Sequence, residues 1–98
     1  MKNSTQHILL ICILFLIGCT SEPTAEELLL EAEKLENQGK YKQAIPILDK
    51  AIEKDPELLG AYINRGADYS ALGKYEKAIE NYKIVLEKDR INQLAQFN

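Results

Sequence analysis

Residues 73–79 read Gly73-Lys74-Tyr75-Glu76-Lys77-Ala78-Ile79, and 34 positions upstream residues 39–45 read Gly39-Lys40-Tyr41-Lys42-Gln43-Ala44-Ile45. At the same offset Glu53-Lys54-Asp55 recurs as Glu87-Lys88-Asp89. Residues of like character align between these blocks: Leu28 with Tyr62, Ala32 with Gly66, Leu35 with Tyr69, Leu48 with Tyr82, Ala51 with Val85. A period of this length marks a helical hairpin stacked on copies of itself. The pattern predicts an all-α fold of two such hairpins, 25–58 and 59–92, with 93–98 as a short C-terminal cap or tail.

Each unit reads as two helices. Leu28, Ala32 and Leu35 fall on one face of the first, at steps of four and three. Thr24 and Glu27 form a candidate capping box at its start. Gly39 suits the left-handed stop that follows, because it has no β-carbon to clash. The second helix carries Ala44, Ile45, Leu48, Ala51 and Ile52 on one face and ends at Asp55-Pro56. The next unit repeats this with Tyr62, Gly66, Tyr69, a stop at Gly73, then Ala78, Ile79, Tyr82, Val85 and Leu86. Small residues at 32, 44, 66 and 78 fit close helix crossings, with Leu and Tyr filling the space beside them. Pro46 sits early in the second helix, where a slight kink and no break is expected.

These spacings resemble the tetratricopeptide repeat, over residues 25 to 92. The second unit matches better, through Tyr62, Gly66, Tyr69, Gly73, Tyr75, Ala78 and Tyr82, but has Arg90 where the family usually has proline. The first departs more, with Leu28 at an aromatic position and Leu35 for the usual tyrosine. The resemblance implies a protein-binding groove lined by the first helix of each hairpin. Carried over by position, that groove holds Glu26, Leu29, Glu33, Glu36 and Asn37, then Gly60, Ile63, Asn64, Ala67, Ser70 and Ala71. Some family members clamp a terminal carboxylate there. Asn64 matches one clamp position, but Leu29 and Glu33 occupy others and Glu33 would repel the ligand, so binding of that type is not expected.

Upstream of the repeats the sequence changes character. Met1-Lys2-Asn3 and the apolar run from Ile8 to Ile17 read as an export signal. The run is too short to span a hydrocarbon core, which takes about 20 helical residues. Leu16-Ile17-Gly18-Cys19 resembles the lipobox of bacterial lipoproteins, which implies cleavage after 18 and lipidation of Cys19. Two or three acyl chains would hold the protein firmly on a bilayer. Residues 19–24 then form a tether reaching under about 20 Å. The expected location is the bacterial cell envelope, on the outer membrane in a diderm host, because Thr20 is not the retention Asp.

Catalytic chemistry finds little support. The processed chain keeps no histidine, since His7 lies in the signal, and its one cysteine carries lipid. The common acid–base and nucleophile pairs are therefore absent. Ser70 and Lys74 are separated by the helix stop at Gly73. Carboxylates lie spread along helices without the loop spacing of a metal site, so neither metal nor cofactor is expected. A net charge of −3 argues against nucleic acid.

What remains is surface. Glu26, Glu27, Glu31, Glu33 and Glu36 make the first helix acidic. They would complement a basic and apolar partner segment, or they serve the helix dipole and solubility. Repeat stacks generally need about three units before the core suffices. Tyr82, Val85 and Leu86 are therefore candidate docking residues on an open end, which Ile91, Leu94, Ala95 and Phe97 could cover in part. The expected function is a lipid-anchored adaptor for envelope proteins. Its rival is a structural subunit of a larger assembly, or one that self-associates, without a peptide ligand.

Overall fold

The computed structural model describes residues 21–97. The expected signal peptide (1–18) and the lipidation site Cys19 lie outside them. Four helices follow one another: α1 (Ala25–Asn37), α2 (Tyr41–Lys54), α3 (Leu59–Ala71) and α4 (Tyr75–Phe97). No strand occurs among the described residues. Helix α1 packs on α2 and α3 on α4, while α3 also lies against both α2 and α1. These are two stacked hairpins.

Local chemistry sets each boundary. At the start of α1 the Thr24 Oγ1 accepts from the Glu27 amide at 3.1 Å, and Glu27 Oε2 accepts from the Thr24 amide at 3.4 Å. The capping box thus satisfies two of the free amides of the first turn. Helix α1 ends where Gly39 adopts φ +75°, with Lys40 N donating to Leu35 O and Gly39 N to Glu36 O. Helix α3 ends the same way at Gly73, φ +78°, with Lys74 N donating to Tyr69 O and Gly73 N to Ser70 O. Both turns use paired bonds that close the last helical carbonyls, and both need a residue without a β-carbon.

Helix α2 runs through Pro46 unbroken. Proline removes one amide donor, but the carbonyl it leaves free belongs to Lys42, which faces water. The helix stops at Asp55, held extended (φ −141°) ahead of Pro56, and Asp55 Oδ1 accepts from the Glu57 amide at 3.0 Å. The second hairpin has Arg90 where Pro56 stands in the first. Nothing halts the helix there, and α4 continues to Phe97. Residues 93–97, expected as part of a short C-terminal cap or tail, extend α4. Ile91 and Leu94 remain more than half exposed and leave Leu86 70% exposed.

The core is lopsided. Leu28, Ala32, Ala44, Leu48, Ala51 and Ala61 form one buried cluster, with Leu29, Leu35, Ile47, Ile52 and Leu58 packed against it. It occupies the first hairpin and its junction with α3. Alanines let the helices approach, and Leu48, with no exposed surface, fills the centre. Burying a leucine there contributes roughly 2 kcal/mol. In the second hairpin Ala61, Tyr62, Gly66, Asp68, Ala78 and Asn81 are buried, and among the described residues no further hairpin covers the outer side of α4.

Candidate protein-binding face and its buried carboxyl pair

Helices α1 and α3 lie side by side and bring two pairs of the expected groove residues together. Leu29 Cδ2 sits where a β-carbon on Gly60 would meet it at 3.1 Å, so the glycine lets the helices close. Four positions further along α3 and seven along α1, Asn64 Nδ2 donates to Glu36 Oε2 at 3.2 Å. Glu26, Asn37, Ile63, Ala67 and Ala71 are exposed, while Leu29, Glu33, Asn64 and Ser70 are half-buried. Ile63 is an exposed large apolar side chain on α3, and Glu26 and Glu33 are acidic residues of α1.

Glu36 plays a different part from the one its position suggested. It is half-buried and hydrogen-bonds Asp68, a residue only 1% exposed. Glu36 Oε1 and Asp68 Oδ2 have no donor of their own among the described residues. Two carboxylates can hydrogen-bond only if one carries a proton, and burial makes that the favoured state. Burial, then the bond to Glu36 and its charge, push Asp68 up to about 8. Burial, with Glu33 nearby, also raises Glu36, against the lowering effect of its bonds to Asp68 and Asn64. The pair acts as a shared-proton clasp between α1 and α3. It removes Glu36, and the Asn64 amide with it, from the groups free to meet a ligand.

Sequence reasoning missed Asp68. In a single sequence it is one carboxylate among many, and the first hairpin has Lys34 at the equivalent place. Its helical offset from Tyr62 and Ala61, both buried, is the only signal that could have flagged it. Arg65 was also missed. Its Nε donates to Asn81 Oδ1 and its Nη1 to Asp49 Oδ1, each at 2.8 Å, tying α3 to α4 and α2. Asn81 Nδ2 donates in turn to the Lys77 carbonyl at 2.8 Å. Tyr62 anchors the same junction: its hydroxyl donates to the Pro56 carbonyl at 2.9 Å. The Arg65 and Lys88 cations lie 5.6 and 5.8 Å from its ring centre. Lys88 also pairs with Glu57 at 2.9 Å, which raises its pKa.

At the open end, Tyr82 is 38% exposed and Leu86 70%, while Val85 is half-buried against the hairpin. Among the described residues no cluster of three His, Cys, Asp or Glu side chains is placed to hold a metal ion. No described helix is long and apolar enough to cross a membrane.

This geometry, two antiparallel helix pairs stacked at one repeat length with matching glycine stops, agrees with the sequence comparison. The family model of the tetratricopeptide repeat matches residues 60–92. The matched stretch is the second hairpin. The first hairpin repeats this architecture but has Leu28 and Leu35 where the second has Tyr62 and Tyr69. The chain is also 31% identical over 75 residues to the tetratricopeptide repeat and J domain-containing co-chaperone DNJ1 of Cryptococcus neoformans var. grubii. That match takes in 76% of this chain and 14% of the relative, so the chain spans a small part of the relative's length. Tetratricopeptide repeats generally act as non-catalytic protein-interaction modules, and these comparisons support protein binding.

Proposed function

We propose that this protein is a lipid-anchored adaptor of the bacterial cell envelope that holds a partner protein on the α1/α3 face. The observation that carries the binding reading is the alignment of the two first helices. They present Ile63, Ala67 and Ala71 beside Glu26, Glu33 and Asn37, all outside the buried core. An extended or helical segment with apolar and basic residues complements such a face. The co-chaperone relative fits a module that holds other polypeptides. The anchor rests on the lipobox-like Leu16-Ile17-Gly18-Cys19. In a diderm host the outer membrane is the favoured site.

The test is site-specific photocrosslinking in cells with the anchor intact. A probe at Ile63 should capture a defined protein, and Glu33→Lys should reduce the capture. Glu33 is the residue to reverse, because Glu36 is engaged with Asn64 and Asp68. Capture that survives Glu33→Lys and Ile63→Asp unchanged would sink the groove reading. Incorporation of labelled fatty acid tests the anchor separately, and unchanged labelling of Cys19→Ala removes it.

A second reading is a docking or self-associating subunit without a peptide ligand, acting through the open end at Tyr82, Val85 and Leu86. The uncovered apolar side of α4 favours it.

A further inference from the structure

The repeat itself shows what the open end lacks. Tyr41, Ile45, Leu48 and Ile52 of α2 are half-buried or buried, and α3 packs on that helix. Their counterparts 34 residues on are Tyr75, Ile79, Tyr82 and Leu86 of α4. These are 64%, 52%, 38% and 70% exposed. They follow one another at steps of four, three and four, the spacing of a seam between two helices.

The other end of this chain does not match that seam. If a second copy stacked head to tail, its α1 would take the place that α3 takes on α2. Helix α3 meets the first hairpin with Leu58, Ala61, Arg65 and Asp68. The α1 residues at those positions are Thr24, Glu27, Glu31 and Lys34, all exposed and polar. Charged groups laid on Tyr75, Ile79 and Leu86 would lose water without gaining partners. Head-to-tail stacking is disfavoured.

The seam does match itself. In an antiparallel pair, Tyr75 faces Leu86 of the second copy and Ile79 faces Tyr82, each twice by symmetry. In that register the position flanking the seam on the solvent side is Glu76, and it falls opposite Lys83 of the second copy. Both residues are exposed, and neither has an ion-pair partner among the described residues. On the inner flank, Ala78 falls opposite Val85 of the second copy, small and apolar. In a parallel pair the two copies of this flank lie on opposite sides of the seam, so Lys83 would face Ala78 of the second copy and neither rim charge would gain an opposite partner. Charge therefore selects direction. Past Leu86 the extra turns of α4 overrun the start of the second copy's α4 toward its turn, where Leu72 is 38% exposed.

We propose that two copies of this chain associate through α4, antiparallel, with Tyr75, Ile79, Tyr82 and Leu86 as the seam and two Glu76–Lys83 pairs as its outer rim. This deepens the second reading above by naming what covers the open end, and it is independent of the α1/α3 face. The interface is isologous and closes at two copies.

Sedimentation equilibrium of the full chain in density-matched detergent tests it, with circular dichroism confirming that each variant stays helical. Wild type should dimerise. Glu76→Lys and Lys83→Glu should each weaken the dimer by about tenfold, since each places two like-charge contacts on the rim. The double variant should return to near wild-type affinity. Glu76 and Lys83 are seven residues apart on one helix, too far to compensate within a chain, so recovery reports contact between copies. A monomeric wild type overturns the proposal, as do singles without effect or a double variant that fails to recover. A dimer that survives Leu86→Asp is held together elsewhere, and that also overturns it. If the full chain stays monomeric while a photoprobe at Leu86 captures another protein in cells, self-pairing fails and docking through this end stands.

Discussion

The Tyr82 ring lies against the backbone of Gly66, so close that a β-carbon at 66 would meet Cε1 at 2.7 Å and Cδ1 and Cζ at 3.1 Å. Glycine in the middle of α3 costs about 1 kcal/mol of helix stability relative to alanine. In exchange α3 closes onto the Tyr82 ring at that crossing. The equivalent crossing in the first hairpin uses Ala32 against Leu48, a smaller partner.

Gly66→Ala should therefore be nearly neutral, because the half-exposed Tyr82 ring can swing aside and the helix gains its propensity. Gly66→Leu should lower stability by about 2 kcal/mol or more, since position 66 is buried and cannot hold the extra volume. Urea melts followed by circular dichroism check both. Equal midpoints for wild type and Gly66→Leu would remove this account of the crossing.

The Glu36–Asp68 clasp makes stability depend on pH. In the unfolded chain Asp68 ionises near the ordinary aspartate value, whereas in the fold it holds its proton to about 8. Between those values the native state binds more protons, so stability falls as pH rises through that window. Asp68→Asn keeps a donor toward Glu36 without the charge. The variant should show a flatter profile and be more stable by about 1 to 2 kcal/mol at about pH 9. Parallel stability profiles for the two proteins from about pH 5 to about pH 9 would contradict the shared proton.

Gly39→Ala and Gly73→Ala should each cost about 1 kcal/mol, through backbone strain alone. Both glycines have positive φ, and a β-carbon at either meets nothing within 4 Å. Asparagine, which tolerates this conformation better, should recover part of the loss at each site. Thermal melts of the four variants decide it, and a loss confined to one glycine would break the equivalence of the two turns.

Arg65→Met should destabilise by about 2 kcal/mol, because it leaves Asn81 Oδ1, in a residue only 4% exposed, without its donor. Asp49→Ala should cost well under 1 kcal/mol, since the Asp49 side chain is 53% exposed and its ion pair is screened. A double-mutant cycle on Arg65 and Asn81 measures the buried contact. A coupling near zero would show that the bridge between α3 and α4 contributes nothing.

Much of the architecture can be read along the chain because its causes are local or periodic. The helix starts and stops follow from Thr24, Gly39, Pro56 and Gly73, each acting on backbone within a few residues. The two-hairpin form follows from the recurrence of Ala44-Ile45 and Ala78-Ile79. The same local logic accounts for the run of α4 past 92: with Arg90 in place of proline, no residue halts it. Among the expected groove residues, the structure sets Leu29 against Gly60 and Glu36 against Asn64, yet the division of labour among them was not legible. Glu36 looks like any other acid of α1 until Asp68 arrives from α3 to share its proton.

The amino-acid order alone determined the helices, their turns and the pairing into hairpins, since hydrogen bonds and side-chain periodicity act over short separations. Only the packed structure decided which polar groups are buried and which apolar ones are not. Asp68, Asn81 and Arg65 acquire their roles from residues on other helices. Tyr75, Ile79 and Leu86 stay exposed because, among the described residues, no further hairpin stands beside them. Burial depends on neighbours distant in sequence, and that information exists only once the chain has closed on itself.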